Sequence, residues 1–188
     1  FAQWTRTPDP TALMLTSVFF DLRTVHGETA LVESLRTELL RGTRDNPLFL
    51  GHLVANALSR TPPLGWLGGL TPARSGEHKG TIDLKHLGVV PIVDLARVHA
   101  LAGGYAEVNT LERLEAAVRG GALSEQNGRD LRETWEFLAV TRLRHQARQL
   151  REGVAADSYL DPQELSPFER TQLKDAFEVV RTVQTLLG

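Results

Sequence analysis

The sequence predicts an all-α protein: a helical bundle of about seven helices with a small β-hairpin-like insertion near residues 64–86. Three observations predict it. Apolar residues recur at helical spacing along nearly the whole chain. Gly and Pro punctuate the ends of those periodic stretches. One segment, 62–80, is crowded with breakers and leads into a polar–apolar alternation.

A first helix is expected after Pro10, running to His26, with Gly27 as its stop. A second spans about Glu28 to Arg41 before Gly42. Asn46-Pro47 opens a third, which ends before Pro62-Pro63. Then come Pro62, Pro63, Gly65, Gly68, Gly69, Pro72, Gly76 and Gly80, the density of a long loop. Thr81–His86 alternates polar and apolar as a short strand does, with its partner expected within Leu64–Leu70.

Helices resume at Pro91, a favoured first-turn residue, and that helix stops at Gly103-Gly104. Another covers about Thr110 to Val118, before Gly120-Gly121. Ser124 is placed to cap the longest helix, which reaches about Glu152. Asp161-Pro162 begins a turn. Ser166-Pro167-Phe168-Glu169 combines a capping box with Pro in the first turn and opens the last helix, to about Leu187. The 188 residues suit a single helical domain, residues 1–188, and are enough to bury a core without staples. A start at Phe1 in mid-pattern reads as a fragment of a longer protein.

Composition narrows the function. There is no cysteine, which excludes thiolate catalysis and zinc–thiolate sites. Lys plus Arg total 21 against 23 for Asp plus Glu, so no basic surplus points to nucleic acid. No apolar run approaches the ~18 residues of a membrane span, and no signal peptide opens the chain. A cytoplasmic location is expected. None of the six histidines has the spacing of a helical zinc site, and each is the more ordinary cap, core or surface residue. There is no phosphate-binding P-loop, no dinucleotide fingerprint and no nucleophile elbow. No catalytic residue and no metal ligand is assigned.

Candidate binding residues are instead charges placed on apolar faces. Turned at about 100° per residue, the longest helix has Leu131, Trp135, Leu138, Leu143 and Leu150 inward. Arg142 and Gln146 fall inside that arc, and His145 borders it. An inward arginine keeps its charge and needs a carboxylate, a carbonyl or an anionic ligand; a structural pair is the more frequent answer. The first helix has Leu15, Val18, Leu22 and Val25 on one face and Leu13 and Phe20 opposite, as in a central helix. Asp21 and Arg23 then lie near the interior, about 160° apart, too far round the helix to pair with each other.

In the Pro91 helix Asp94 and Arg97 are three residues apart and can pair on one face. In the expected strand Asp83 and Lys85 project opposite Ile82 and Leu84. Asp21, Arg23, Asp83, Lys85, Asp94, Arg97, Arg142 and Gln146 are the candidate substrate-binding set. Arg144, Arg148 and Arg151 share another side of the longest helix; an exposed polar face is the commoner reason for such a stripe.

Several stretches, in this order and at these separations, carry a resemblance. They are Ser17–Arg23 with His26-Gly27, His78–Lys85, Pro91–Arg97, Asn109–Leu114, Leu143–Gln146 and Tyr159–Pro162. Together they resemble the nucleotidyltransferase substrate-binding domain family across essentially the whole chain. The resemblance implies a bacterial signalling protein whose upstream part carries a nucleotidyltransferase domain in the same polypeptide, often with cyclic-nucleotide-binding and CBS modules. It implies similarity to the uridylyltransferases that modify PII proteins, hence a PII-like acceptor.

It further implies Mg²⁺ and a nucleoside triphosphate for the full-length protein. In that family the catalytic domain has a Gly-Ser turn followed by an Asp-x-Asp pair. No such arrangement stands here: Gly120-Gly121 precedes Asp130-Leu131-Arg132, which lacks the second Asp. The chain is therefore expected to bind a substrate, to need no cofactor of its own and to catalyse nothing alone. The rival expectation is a regulatory protein-interaction module without nucleotide binding.

Overall fold

A computed structural model describes residues 17 and 19–187. Six α-helices follow one another there: α1 (Thr29–Arg44), α2 (Pro47–Ser59), α3 (Val90–Gly103), α4 (Thr110–Arg119), α5 (Glu125–Arg151) and α6 (Pro167–Leu187). The only sheet among the described residues pairs β1 (Ile82–Asp83) with β2 (Tyr159–Leu160), antiparallel. The all-α expectation therefore holds, with a helix count close to the one expected. Two compact units share the chain, with their boundaries inside α2, α3 and α5. One holds the described residues up to Ala57 and Asp94–Gly128; the other holds Leu58–Val93 and the residues from Arg129 on.

In the first unit the core is built from Phe20, Leu39, Phe49, Leu53, Leu95, Leu101 and Leu114, all buried. The Phe20 and Phe49 rings tilt against each other with centroids 6.2 Å apart. The first expected helix is shorter than its periodicity implied. Ser17 and Phe19 are helical, but Phe20 and Asp21 form a turn and Leu22–Thr24 has no regular secondary structure. Carbonyl oxygens that a continued helix would use are taken by arginines: Arg113 donates to Phe20 and Arg36 to Leu22. Asp21 and Arg23 thus leave a loop, not a helix, and Val25 lies almost wholly in solvent. Leu13, Leu15 and Val18 lie outside the described residues.

Gly42 does not end α1, which continues to Arg44, where the Asp45 amide closes the last turn on the Arg41 carbonyl. A single glycine costs an α-helix about 1 kcal/mol, and buried Leu39 and Thr43 hold this turn in place. The double-glycine stops behave as expected: Gly104 and Gly121 both take positive φ, which other residues adopt at a steric cost. Asn109 caps α4 by accepting from the Leu111 and Glu112 amides.

In the second unit the core comprises Ile82, Leu84, Ile92, Leu131, Leu138, Leu160, Leu173, Phe177 and Val180. The strand expected near residue 82 exists, but its partner differs. Ile82 faces Leu160 and Asp83 faces Tyr159, while Leu64 bridges Leu70 and closes a separate small loop. Ladder bonding follows core burial: Ile82, Leu84 and Leu160 are all buried, so the pairing carries apolar residues inward. The His78 ring stacks on Tyr159 at 3.3 Å between centroids, fixing the loop beside the strand.

Lys85–Val89 forms a π-helical turn leading into α3, so the helix starts one residue before Pro91. Gly88 sits there because α5 and α6 come close: a Cβ would stand 3.2 Å from Leu138 and 3.4 Å from Phe177. Ser124 accepts from the Asn127 amide and begins α5. The capping box at α6 is complete: the Ser166 amide donates to Glu169 at 2.9 Å, and the Glu169 amide donates to the Ser166 hydroxyl at 3.2 Å.

The inward face of α5 is rotated from the expected one. Leu131, Thr134, Leu138 and His145 are buried, whereas Leu143 and Leu150 are exposed. A polar network, described below, draws His145 inward and turns the two leucines out.

Candidate functional site

Each unit holds one group of charged side chains. In the first, Asp21 is the centre. Its carboxylate receives the Arg97 guanidinium on one oxygen and the Arg113 guanidinium on the other, each at 2.8 Å. Arg97 also pairs with Asp94 at 2.8 Å, one turn earlier on α3. Arg113 is only 2% exposed. It donates to the Phe20 carbonyl at 2.9 Å and the Glu107 carbonyl at 2.8 Å besides Asp21.

Burial lowers the Arg113 pKa, Asp21 opposes that shift, and the guanidinium keeps its charge. The network therefore pins the chain at Phe20–Asp21 to α3 and α4. Of the expected set it brings Asp21, Asp94 and Arg97 together; Arg23 is exposed in the loop and takes no part. Arg113 was missed. It precedes Ala116 and Ala117 on the buried side of α4, the same polar-on-an-apolar-face signal that singled out Arg142.

In the second unit, α5 forms one wall of a groove of about 630 Å³. Phe137, Val140, Leu160 and Leu165 supply its apolar lining. Arg144, Arg148 and Arg151 stand at the C-terminal end of α5, and Glu133 and Glu136 stand along it toward the N-terminus. Glu164 and Glu169 face them from the opposite wall. The arginine stripe, judged an ordinary polar face from sequence, thus edges a concavity. Spacing alone identified the stripe; the wall contributed by residues 160–172 had no sequence signal.

Only part of that positive charge is neutralised. Arg148 pairs with Glu164. Arg144 and Arg151 make no hydrogen bond or ion pair among the described residues. Glu169 is held below the usual carboxylate range by the Ser166 amide and hydroxyl, with a smaller contribution from Arg144.

Beneath the groove lies the network that rotates α5. His145 directs Nε2 at Asp157 (3.2 Å) and Nδ1 at Arg148 (3.3 Å). Asp157 also accepts from the Gln149 side chain at 3.0 Å and the Tyr159 amide at 2.9 Å. Burial alone would raise the Asp157 pKa, but the Tyr159, Gln149 and His145 hydrogen bonds outweigh it and hold the carboxyl low. Both imidazole nitrogens are engaged, so His145 positions β2 against α5 and has no ring nitrogen left to move a substrate proton.

The remaining expected residues do not join the groove. Asp83 accepts from the Lys85 and His86 amides and from the His86 ring, capping the π-helical turn; Lys85 points to solvent. Arg142 and Gln146 occupy another side of α5, with Arg142 about 160° round the helix from Arg144. Both are half-buried, and the Arg142 Nε has no hydrogen-bond partner among the described residues. Trp135, two turns earlier on the same side, leaves its indole N–H equally unpartnered.

The fold is a helical domain with a groove lined by charged and apolar side chains, and no group of three or more His, Asp or Glu among the described residues could hold a metal ion. The sequence profile of one family, described as "Putative nucleotidyltransferase substrate binding domain", matches residues 47–188, and the chain belongs to that family. No curated protein and no solved structure matches it. No helix among the described residues is long and apolar enough to cross a membrane.

Proposed function

We propose that this chain is the substrate-holding part of a nucleotidyltransferase and acts beside a separate catalytic domain of the same polypeptide. The observation that carries this reading is the incompletely neutralised arginine row along a groove, Arg144 and Arg151 beside the paired Arg148. Phosphoryl-type transfer depends mainly on positioning and charge neutralisation, work that a cationic row suits. The family membership supports the same role. In the finer reading the acceptor is a PII-like protein, the activity is uridylyltransferase-like and the setting is bacterial signalling in the cytoplasm.

The nucleoside triphosphate and Mg²⁺ belong to the catalytic domain. No group of three or more His, Asp or Glu among the described residues here fits such an ion. Arg142, whose Nε is left unpartnered, the half-buried Gln146 and the solvent-facing Arg23 and Lys85 remain the members of the expected set available to a ligand.

The test uses the chain joined to its catalytic domain. Replacing Arg144 and Arg151 by Ala removes two charged contacts worth about 1.5–3 kcal/mol each. KM for the nucleotide or for the acceptor should rise at least about tenfold, with the melting temperature unchanged. Both KM values unchanged would overturn the proposal.

The Asp21 network favours the second reading, a regulatory interaction module, for its own residues. Both terminal nitrogens of Arg97 are engaged by carboxylates. On that reading Arg97→Ala lowers the melting temperature and leaves ligand affinity unchanged. A drop in affinity without loss of stability would return Arg97 to the substrate-binding set.

A further inference from the structure

Arg148 stands between the two unneutralised arginines, and both walls of the groove hold it. Arg144 lies about 6 Å before it along α5 and Arg151 about 4.5 Å beyond it. Its Nη2 donates to His145 Nδ1 (3.3 Å) and to the Glu164 carboxylate. An arginine only donates, so Nδ1 accepts and the imidazole proton sits on Nε2, directed at Asp157. A guanidinium grips an oxyanion with two parallel bonds either end-on or side-on, and both ways use Nη2. Its two hydrogens are taken, so Arg148 offers no complete fork while both partners stay.

The two partners are not equally fixed. The His145 side chain is 6% exposed and tied to Asp157, which also accepts from Gln149 and the Tyr159 amide. Glu164 is 44% exposed and ends the short 3₁₀ turn Pro162–Glu164, and Arg148 is its carboxylate's only partner among the described residues. Glu169, from the same wall, is committed to the Ser166 cap. Glu164 is therefore the group that gives way when an anion enters.

We infer that Glu164 is a built-in competitor for Arg148, standing where a phosphate of the ligand binds. This rests on the substrate-binding reading and names the group held: a phosphate oxyanion, carried by a nucleotide or by a phosphorylated acceptor. A lone carboxylate exchanging with Glu164 replaces like by like, and Glu164 has the advantage of being attached to the site. A phosphate brings more charge and a third acceptor oxygen, and linked phosphates reach Arg144 or Arg151 as well. An ion pair this exposed changes an equilibrium by at most about fivefold. Glu164 thus sets a threshold and does not close the groove.

Isothermal titration of inorganic diphosphate into the full chain tests this. Glu164→Gln keeps the shape of the side chain and removes its charge, so the dissociation constant should fall about two- to fivefold. In an Arg148→Gln background the same substitution should change nothing, because the contested group is gone. Succinate should bind the unaltered chain at least about tenfold more weakly than diphosphate. ATP and phosphoserine separate the sources. The Glu164→Gln gain follows ATP if the phosphates belong to a nucleotide, and phosphoserine if they belong to an acceptor.

An unchanged or weaker affinity in Glu164→Gln, a gain that survives in the Arg148→Gln background, or equal binding of succinate and diphosphate overturns the inference. So does the absence of diphosphate binding, or of a gain with both ATP and phosphoserine. The nucleotide and acceptor KM values of Arg144→Ala/Arg151→Ala, in the chain joined to its catalytic domain, separate this from failure of the broader reading. If either KM rises while the Glu164 variants show no gain, the groove holds a substrate and only the competitor role falls. If neither changes, both readings fall.

Discussion

Replacing Arg113 by Ala tests how the first unit is held together. The guanidinium is 2% exposed and joins the Asp21 carboxylate to the Phe20 and Glu107 carbonyls. Removing one partner of a buried ion pair costs about 3–5 kcal/mol. Asp21 is 42% exposed and keeps Arg97, so its charge is not stranded and the loss belongs at the low end of that range, about 3 kcal/mol. For a chain of this length, about 2–4 °C is lost per kcal/mol, a fall of about 6–12 °C.

Differential scanning calorimetry reads it directly. Arg113→Lys should fall between Ala and the unaltered protein, because one ammonium cannot reproduce the guanidinium's fork toward three acceptors. Combining Asp21→Ala with Arg113→Ala should show coupling of about 0.5–3 kcal/mol. A fall under about 2 °C for Arg113→Ala, or additive single losses, would refute the view that Arg113 fastens the Asp21 turn.

The other predictions address the second unit and the pH dependence. Gly88→Ala forces a methyl against Leu138 and Phe177 and should cost about 1–3 kcal/mol in chemical denaturation. The Asp157 carboxyl is held below its ordinary 3.8, so its contribution is present above that value and is lost as pH falls through the lower folded pKa. Acid unfolding of Asp157→Asn should therefore lose less stability over that interval, and a carboxyl titrating at or above 3.8 by NMR would contradict the network.

His99 is pushed below 6.5 by burial. The folded protein favours the neutral ring, so this part of the stability is complete above 6.5 and declines as pH drops toward the folded pKa. His99→Leu should flatten that decline in denaturation curves measured on either side of pH 6.5; an unchanged slope would assign the decline elsewhere.

The legible parts of this fold were those decided locally. The Ser124 and Ser166–Glu169 caps and the Gly104 and Gly121 stops depend on a few adjacent residues, and they stand where the sequence puts them. The illegible parts were decided by distant partners. Helical periodicity continued past Phe20, but arginines from α1 and α4 took the carbonyls that the helix needed. The β1 partner was sought nearby, yet Leu160 supplied the buried match to Ile82.

The site shows the same division. Asp94 with Arg97 was readable as a one-turn pair, whereas their link to Asp21 and Arg113 spans the unit. On α5, ranking residues by hydrophobicity sent Leu143 and Leu150 inward and left His145 at the edge. The bonds from His145 and Gln149 to Asp157 reverse that order. The arginine stripe was visible from its spacing, but the groove it edges required the residue 160–172 wall.

The central claim is that this chain holds a substrate and leaves transfer to another domain. Nucleotidyl transfer measured with the catalytic domain alone, and with the same domain joined to this chain, tests it most directly. The account predicts that joining the chain lowers the acceptor KM at least about tenfold while kcat changes little, and that the chain alone transfers nothing. Equal KM values with and without the chain, or transfer by the chain alone, would contradict it.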